Sequence, residues 1–403
     1  MLKSYNHNEM KILTVIGARP QFVKAAMVSR AIIDHKKQGR RPFITEEIIH
    51  TGQHHDTGMS QVFFEQLEIP KPAANLNINN ASHGVMTGRM LEALENEMVS
   101  RHPDWVLIYG DTNSTLAGAL AASKLNIPVA HVEAGLRSFN RLMPEEINRI
   151  ISDQISSLLL CPTKTAVENL KAEGFSRIVG KGNQWLNDTE WLSQEPSDWD
   201  SAHQIGIVAN VGDVMYDAAL IFGKLAEDKS HILDALKLTS GKYYLATVHR
   251  AENTDTPGNL NEIMEGLNRI SKKFPVVLPV HPRITKKIES WKNGLSDNQL
   301  KRWRFIGPVS FLDMVQLEKS ASVILTDSGG VQKEACFHSV PCVTLRNETE
   351  WAETIAKGWN RLAGPNADRI VHLAEQAKPG EFINEFGNGK SAKAILSALI
   401  KFS

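Results

Sequence analysis

Residues 105–132 read WVLIYGDTNSTLAGALAASKLNIPVAHV, and this stretch decides how the chain folds. Two short apolar runs, Trp105–Tyr109 and Val129–Val132, stand on either side of a longer amphipathic stretch, Ser114–Leu125. Short runs rich in β-branched and large apolar residues are typical of buried strands, whereas the amphipathic stretch is typical of a helix. A strand, a helix and a second strand in this order predict a βαβ unit and therefore a parallel sheet.

The same alternation continues in both directions along the chain. Further strands are predicted at Ile12–Ile16, Leu158–Cys161, Tyr243–Val248, Val276–Val280, Arg304–Ile306, Val323–Thr326 and Cys342–Leu345. The chain has 403 residues, which exceeds the size at which a single hydrophobic core usually stops growing. We therefore predict the α/β class, with two Rossmann-like doubly wound domains that face a cleft.

The domain boundaries are expected where this alternation is interrupted. We predict an N-terminal domain over residues 1–175 that carries most of the catalytic acids, and a C-terminal domain over residues 209–380. Residues 176–208 are polar and without a clean period, so we interpret them as an inter-domain loop or insertion. We interpret its tryptophans as local packing: Trp185, Trp191 and Trp199. Residues 381–403 are predicted to form a helix that packs back on the N-terminal domain.

Composition excludes several classes of partner. Lys plus Arg and Asp plus Glu both total 45, so the zero net charge argues against a broad nucleic-acid or membrane surface. The three cysteines, Cys161, Cys336 and Cys342, make neither a disulfide framework nor a zinc site and fit a reduced, cytoplasmic setting. The first apolar run, Ile12–Ile16, is too short for a signal peptide, and no run reaches membrane length. We expect no metal and no cofactor.

Carboxylates follow the predicted strands of the first half. Asp111 follows a strand end in Gly110-Asp111-Thr112, and Glu133 follows the next strand in His131-Val132-Glu133. Open α/β sheets bind ligands at this edge, although an Asp before a helix also serves as its cap, and both roles fit Asp111. Glu145, after a proline at a helix start, either favours the helix dipole or joins the other acids. Several carboxylates that converge on one place are what acid–base chemistry at carbon requires.

The stretch Gly17–Lys24 connects a predicted strand to a predicted helix. Free N–H groups at a helix start favour phosphate, and Arg19 and Lys24 would add positive charge there. An ordinary strand-to-helix turn with solvated bases fits equally well. The stretch is not a G-x-G-x-x-G fingerprint, and nothing in it supports NAD.

The second half has its own candidates at predicted strand ends. His249 can donate to a phosphate or transfer a proton, or it can be a structural histidine. In Ser328-Gly329-Gly330, the glycines allow close approach of a pyrophosphate, and Glu334 lies one turn further on where it can reach ribose hydroxyls. The His281 stretch fits a loop as well as a site.

Taken in order, these stretches resemble the non-hydrolysing UDP-N-acetylglucosamine 2-epimerases. The resemblance runs from about Lys11 to Gly364. It is most specific in four motifs: Gly110-Asp111-Thr112, His131-Val132-Glu133-Ala134-Gly135-Leu136-Arg137, Pro144-Glu145-Glu146 and Thr326-Asp327-Ser328-Gly329-Gly330.

The resemblance implies two domains of glycosyltransferase-B type, a homodimer, and a UDP-sugar whose C2 is inverted by elimination of UDP to a glycal and its re-addition. It matches the catalytic residues to Asp111, Glu133, Glu145 and His249. It matches the substrate-binding residues to Arg19, Lys24, Arg137, His281, Ser328, Gly329, Gly330 and Glu334. Gln53 and His54 are candidates for an allosteric contact with a second UDP-sugar.

Some positions differ from the common family pattern. Gln21 stands where many relatives have Glu, and Thr349–Glu353 reads TEWAE in place of the usual TERPE. The stretches Gly52–Met59 and Asp213–Asp217 also differ. These differences resemble a branch that contains epimerases of UDP-2,3-diacetamido-glucuronic acid, so both sugars remain open.

Three rivals to the epimerase remain open. A glycosyltransferase would use the same fold but needs an acceptor pocket. A nucleotide-sugar-binding regulator would need no set of acids. A hydrolysing epimerase would differ only in the fate of the glycal.

Overall fold

The computed structural model describes residues 8–53, 67, 69–179, 206–381 and 383–403. The chain divides into two compact units. Unit 1 comprises Met1–Ala218 with Asn384–Ser403, and unit 2 comprises Ala219–Ile383. Each unit is built on a parallel β-sheet with helices between the strands, which confirms the predicted α/β class with two doubly wound units.

The sheet of unit 1 has eight strands in the described residues, all paired in parallel, in the order β3-β2-β1-β4-β5-β6-β8-β7. The strands are β1 (Glu9–Ile16), β2 (Phe43–His50), β3 (Ala74–Asn75), β4 (Trp105–Tyr109), β5 (Val129–Val132), β6 (Leu158–Cys161), β7 (Ile178–Val179) and β8 (Ile207–Asn210). The strand order reverses between β1 and β4. In open α/β sheets, ligands bind outside the carboxyl ends of the strands at such a reversal.

Helices follow these strands along the chain, and the last of them runs into unit 2. They are α1 (Arg19–Lys37), α2 (His83–Arg101), α3 (Asn113–Lys124), α4 (Pro144–Ile155), α5 (Lys164–Ala172) and α6 (Val214–Lys229). The central strands β4, β5 and β6 are buried at every position, as a parallel sheet covered on both faces requires. Helix α3 packs small side chains, among them Ala117 and Ala121, into the same core as Leu13 and Ile108.

The sheet of unit 2 has six parallel strands in the described residues, in the order β11-β10-β9-β12-β13-β14. The strands are β9 (Tyr244–Thr247), β10 (Val276–Pro279), β11 (Trp303–Ile306), β12 (Val323–Thr326), β13 (Cys342–Thr344) and β14 (Asn360–Leu362). The order reverses between β9 and β12, so unit 2 repeats the arrangement of unit 1.

The helices of unit 2 fill the connections between these strands. They are α7 (Ile232–Ala235), α8 (Ala251–Thr254), α9 (Asn259–Ile270), a 3₁₀ turn (Pro282–Ile284), α10 (Thr285–Lys292), α11 (Asp297–Leu300), α12 (Phe311–Lys319), α13 (Gly329–Phe337), α14 (Ala352–Ala356) and α15 (Ala367–Glu375). Its core joins Ile263 and Leu267 of α9 to Leu278, Leu325 and Val343 of the sheet.

The boundary between the units differs from the sequence-based prediction. Strands β7 and β8 begin inside the segment interpreted as a loop, residues 176–208, and β8 pairs with β6. The boundary lies after Ala218, within α6, and not at residue 209. A strand of only two residues has no readable period, which is why β7 was missed. The three tryptophans of the segment lie outside the described residues.

The last helix, α16 (Ser391–Lys401), belongs to unit 1 and packs against α1. Asp217 accepts hydrogen bonds from the backbone N–H groups of Ser391 (3.1 Å) and Ala392 (2.8 Å) and so caps this helix. In the described part of the chain, no helix is both long and apolar enough to cross a membrane.

Candidate active site

The register of two strands places the first candidate residues side by side in unit 1. Tyr109, the last residue of β4, pairs with Val132, the last residue of β5. The backbone N–H of Gly110 donates to the carbonyl of Val132 at 3.0 Å. Asp111 and Glu133 therefore leave neighbouring strands at the carboxyl edge of the sheet, where the strand order reverses.

Asp111 does not cap the helix that follows it. Thr112 is the N-cap of α3, and its hydroxyl accepts from the backbone N–H of Thr115 at 3.3 Å. The Asp111 side chain is 33% exposed and forms an ion pair with Arg149 of α4, while Asn148 donates to the Asp111 carbonyl at 3.0 Å. Of the two roles that the sequence left open, the structure thus removes the capping role.

Glu133 is held in an unusual backbone conformation. Its φ is +71°, in the left-handed region that non-glycine residues seldom adopt. Its carboxylate forms an ion pair with Lys24 of α1, and both side chains are nearly buried, at 10% and 8% exposure. Backbone strain of this kind, of roughly 1–3 kcal/mol, is typical of functional sites. Lys24, predicted beside a diphosphate, contacts a catalytic candidate in this structure.

The two glutamates at the start of α4 differ in their surroundings. Glu146 is buried and accepts hydrogen bonds from Ser138, through both its N–H and hydroxyl, from the Phe139 N–H and from Arg149. Glu145 is half-buried, and its carboxylate has no hydrogen bond or ion pair with the described residues. Glu146 stabilises the local fold through these hydrogen bonds, whereas the Glu145 carboxylate is available for chemistry.

The start of α1 differs from the phosphate site that the sequence suggested. Gln21 is buried, and its Oε1 accepts from the N–H groups of Gly17 (2.8 Å) and Ala18 (2.9 Å). Its Nε2 donates to the Tyr109 carbonyl (2.8 Å) and to the hydroxyl of Thr115 (3.0 Å). The N–H groups of the turn that leads into α1 are therefore occupied. An amide suits this place because a carboxylate could not donate to the Tyr109 carbonyl.

Arg137 also differs from its predicted role as a substrate-binding residue. Its guanidinium is 1% exposed and forms a two-bond ion pair with Glu173 and a third bond with Asp153 at 2.7 Å. Burial alone would lower the pKa of Arg137, but the hydrogen bonds and charges of Glu173 and Asp153 raise it. In this structure Arg137 fastens the segment after β5 to its own unit.

In unit 2, a histidine–carboxylate pair lies at the strand reversal. Thr247 of β9 pairs with Thr326 of β12, and His249 and Asp327 follow these strands. The His249 Nδ1 lies 3.1 Å from a fully buried Asp327 carboxylate, which also accepts from the N–H groups of His249 and Arg250. Burial alone would raise the pKa of Asp327, but the hydrogen bond and charge of His249 and the backbone N–H groups lower it.

His281 lies next to this pair. The ring centroids of His249 and His281 are 5.7 Å apart, and the His281 Nδ1 accepts from the Arg283 N–H at 3.2 Å. Burial, followed by the charges of His249 and Arg283, lowers the pKa of His281. The structure therefore brings together the two histidines that the sequence placed on separate strands.

The Ser-Gly-Gly turn opens helix α13 at the same edge. Ser328 is the N-cap, its backbone N–H donates to the Thr326 hydroxyl at 2.9 Å, and its own hydroxyl makes no capping bond. Gly330 is exposed, and Glu334 lies half-buried on the next turn. A side chain at Gly329 would displace the carboxylate of Glu350, which lies against this position. Donors of the first helical turn suit a phosphate.

Gln53, one of the two allosteric candidates, contacts the start of α3. Its Oε1 accepts from the N–H (3.1 Å) and the hydroxyl (2.8 Å) of Ser114, within the βαβ unit that carries Asp111. The other candidate, His54, lies outside the described residues.

Sequence reasoning missed several residues that hold the candidates. Arg149 and Asn148 hold Asp111, and Asp327 orients His249. A signal existed for Asp327, which stands directly at a strand end before Ser-Gly-Gly. Asn148 and Arg149 follow Glu145 by one helical turn and so share its face, which is also readable from spacing.

The fold and the two strand-end sites define a two-unit α/β enzyme of glycosyltransferase-B type. The profile of the family described as UDP-N-acetylglucosamine 2-epimerase matches residues 36–400, and the chain belongs to this family.

Similar proteins agree with this assignment. The chain is 48% identical to a UDP-N-acetylglucosamine 2-epimerase homolog of Methanococcus maripaludis, over 97% of this chain and 99% of that protein. It is 47% identical to the UDP-2,3-diacetamido-2,3-dideoxy-D-glucuronate 2-epimerase of Pseudomonas aeruginosa, over 97% and 100%. The crystal structure of the Methanocaldococcus jannaschii UDP-GlcNAc 2-epimerase with UDP-GlcNAc and UDP is similar, with a TM-score of 0.80 and 39% identity over 97% and 99%.

Proposed function

We propose that this epimerase inverts C2 of a UDP-linked 2-acetamido sugar, with UDP-N-acetylglucosamine and UDP-N-acetylmannosamine as the first candidate pair. The observation that carries the proposal is the pair Asp111 and Glu133, whose carboxylates leave adjacent strand ends, with the available carboxylate of Glu145 on α4. The same C2 inversion on UDP-2,3-diacetamido-glucuronate is the second candidate, favoured by the 47% identity to an enzyme of that name.

The chemistry explains why several carboxylates are needed. The proton at C2 is a weak acid, so we propose that a carboxylate removes it while the bond from C1 to the UDP oxygen breaks. The products of this step are a glycal with a double bond between C1 and C2, and UDP. UDP then re-adds at C1 while a second acid returns a proton to the opposite face of C2. Asp111, Glu133 and Glu145 are the proposed proton carriers.

We propose that unit 2 holds the nucleotide. The hydroxyl of Ser328, the N–H groups at Gly329 and Gly330, and His249 suit the diphosphate, and Glu334 suits the ribose. His281 is proposed to border the same site. Arg19 and Lys24 remain proposed partners of the leaving diphosphate.

The setting of the enzyme is also a proposal. We infer a homodimer, supported by the resemblance and by exposed apolar side chains on and before α4: Phe139, Leu142, Ile147 and Ile151. We infer a cytoplasmic location, supported by three free, buried cysteines, and a role in the synthesis of cell-surface polysaccharide precursors.

Incubation with a single nucleotide sugar tests the reaction. The protein is incubated with UDP-N-acetylglucosamine alone, and in parallel with UDP-2,3-diacetamido-glucuronate, and the products are followed by NMR. We expect a mixture of the two C2 epimers from one of them without an added acceptor, and no loss of activity in EDTA. Turnover that requires an acceptor would indicate a glycosyltransferase, and accumulation of free sugar with UDP would indicate a hydrolysing enzyme.

A further inference from the structure

His131 is a buried ionisable residue to which the proposed chemistry assigns no role. It lies in β5, two residues before Glu133, with no exposed surface. Its Nδ1 is 2.7 Å from Oδ1 of Asp153, and its Nε2 is 2.7 Å from the carbonyl oxygen of Gly110. Gly110 directly precedes Asp111 in the chain.

Both groups that face the ring accept hydrogen bonds. A carbonyl oxygen cannot donate, so Nε2 must carry a hydrogen. The other oxygen of Asp153 accepts from the Gly135 N–H (3.1 Å) and from Arg137 (2.7 Å). These two donors, one of them a guanidinium, identify Asp153 as a carboxylate independently of the ring. Nδ1 therefore faces an acceptor as Nε2 does, and both ring nitrogens carry a hydrogen when both bonds are formed.

The bond to Gly110 acts on the peptide that carries Asp111. Gly110 has a φ of +62°, and a side chain there would lie 3.3 Å from Nζ of Lys24 and 3.4 Å from Oε2 of Glu133. The Gly110–Asp111 peptide thus lies between the Lys24–Glu133 pair and His131. Its orientation determines the position of the Asp111 Cα atom and the direction in which the side chain leaves it. Asn148 holds the following carbonyl, that of Asp111, at 3.0 Å.

We propose that His131 is a positioning residue for the epimerase reaction: as an imidazolium held by Asp153, it anchors the Gly110 carbonyl and so fixes Asp111 for proton transfer. This inference rests on the proposed catalytic role of Asp111. The charge on the ring matters because a bond from an imidazolium to a carbonyl is charge-assisted and stronger than one from a neutral ring.

Two substitutions separate the two bonds of the ring. In His131→Asn, the amide nitrogen takes the place of Nδ1, so the bond to Asp153 is kept and the bond to Gly110 is lost. In His131→Gln, the amide nitrogen takes the place of Nε2, so the bond to Gly110 is kept instead. Each variant loses one buried hydrogen bond, and both are expected to lose thermal stability.

Activity distinguishes positioning from a purely structural role. We expect kcat per folded enzyme to fall by about tenfold or more in His131→Asn, with KM little changed, and to be partly rescued in His131→Gln. Equal kcat in the two variants, or a larger loss in His131→Gln, would overturn the inference. Asp111→Asn is measured in parallel, because activity retained there would contradict the catalytic role of Asp111 and not the inference about His131.

A spectroscopic measurement keeps the inference testable if neither variant folds. In wild-type enzyme labelled with ¹⁵N at histidine, we expect one ring with both nitrogens protonated at neutral pH. Coupling of one of its N–H protons across the hydrogen bond to the Gly110 carbonyl carbon, selectively labelled with ¹³C, would assign the ring to His131. A spectrum in which every histidine ring is a neutral tautomer would overturn the inference.

Discussion

Replacement of Asp111 by Asn provides the most direct test of the proposed proton chemistry. Asn has nearly the same shape and can still accept a hydrogen bond from Arg149, but it cannot take a proton at neutral pH. Because Asp111 is not the cap of α3, the helix start that follows it does not depend on its side chain. The variant should therefore fold and lose turnover.

The structure allows the expected loss of stability in Asp111→Asn to be compared with the expected loss of activity. The Asp111 side chain is 33% exposed and its partner Arg149 is 7% exposed, so weakening this half-buried pair should cost about 1–3 kcal/mol of stability. Arg149 also keeps its bond to Glu146 at 3.0 Å. Loss of a general acid or base lowers a rate by about 10²–10⁴-fold, which corresponds to about 3–5 kcal/mol of activation free energy. The loss of activity should thus exceed any loss of stability.

The assay follows the hydrogen at C2 in heavy water by NMR. Wild-type enzyme should incorporate deuterium at C2 of both epimers, since the returning proton exchanges with solvent. A matched control is Asp104→Asn, since Asp104 precedes β4 at its other end and accepts from the Lys11 N–H at 2.7 Å. If Asp111→Asn stays folded and exchanges deuterium as fast as Asp104→Asn and wild type, the proton-transfer role of Asp111 is refuted, and Glu145 and His249 become the next candidates.

Three further predictions address the nucleotide site, the C-terminal helix and the edge of β5. The double variant Ser328→Ala with Glu334→Ala should weaken UDP binding by calorimetry more than it slows deuterium exchange in bound substrate, and unchanged UDP affinity would exclude both residues from the site. Burial raises the pKa of Asp217 from 3.8 to about 6, a shift of about 2.2 units, and each unit corresponds to 1.36 kcal/mol. The folded state therefore binds this proton more tightly than the unfolded state, and about 3 kcal/mol of stability should be lost as the pH rises from 4 towards 7. In urea unfolding, Asp217→Asn should lack this dependence of stability on pH, and parallel curves for both proteins would contradict the prediction. Gly135→Ala should lower Tm strongly, because Gly135 has a φ of +79° and a new Cβ would approach the backbone carbonyl of Ala166 too closely; an unchanged Tm would show that this turn can adjust.

The strands and the edge residues could be predicted because local pattern determines them. The continuous apolar runs of β4 and β5 reflect burial on both faces, and the first polar residues after them, Asp111 and Glu133, must then lie at the sheet edge. The reversal of strand order between β1 and β4 was not readable, because it depends on pairing between residues that are far apart in sequence.

The partners of the candidate charges could not be predicted for the same reason. The sequence gives no sign that Arg137 pairs with Glu173, 36 residues away, or that His131 meets Asp153, 22 residues away. In the sequence, an arginine next to a motif of candidate catalytic residues looks like a binding residue, whether its side chain faces solvent or the protein interior. Only the tertiary packing of α5 against the sheet decides that Arg137 is buried.

The number of hydrogen bonds that each carboxylate accepts distinguishes Glu146 and Asp153 from two of the proposed proton carriers, Asp111 and Glu145. Glu146 accepts four and Asp153 accepts three, so protonation of either would forfeit several bonds at once. The Asp111 carboxylate shows one partner, Arg149, and the Glu145 carboxylate shows none among the described residues. A proton carrier must gain and lose charge in every cycle, which costs least where few bonds depend on that charge. Helix α4 carries both kinds: Glu146 and Asp153 hold Arg149 and His131 in place around Asp111, and Glu145 is a proposed proton carrier.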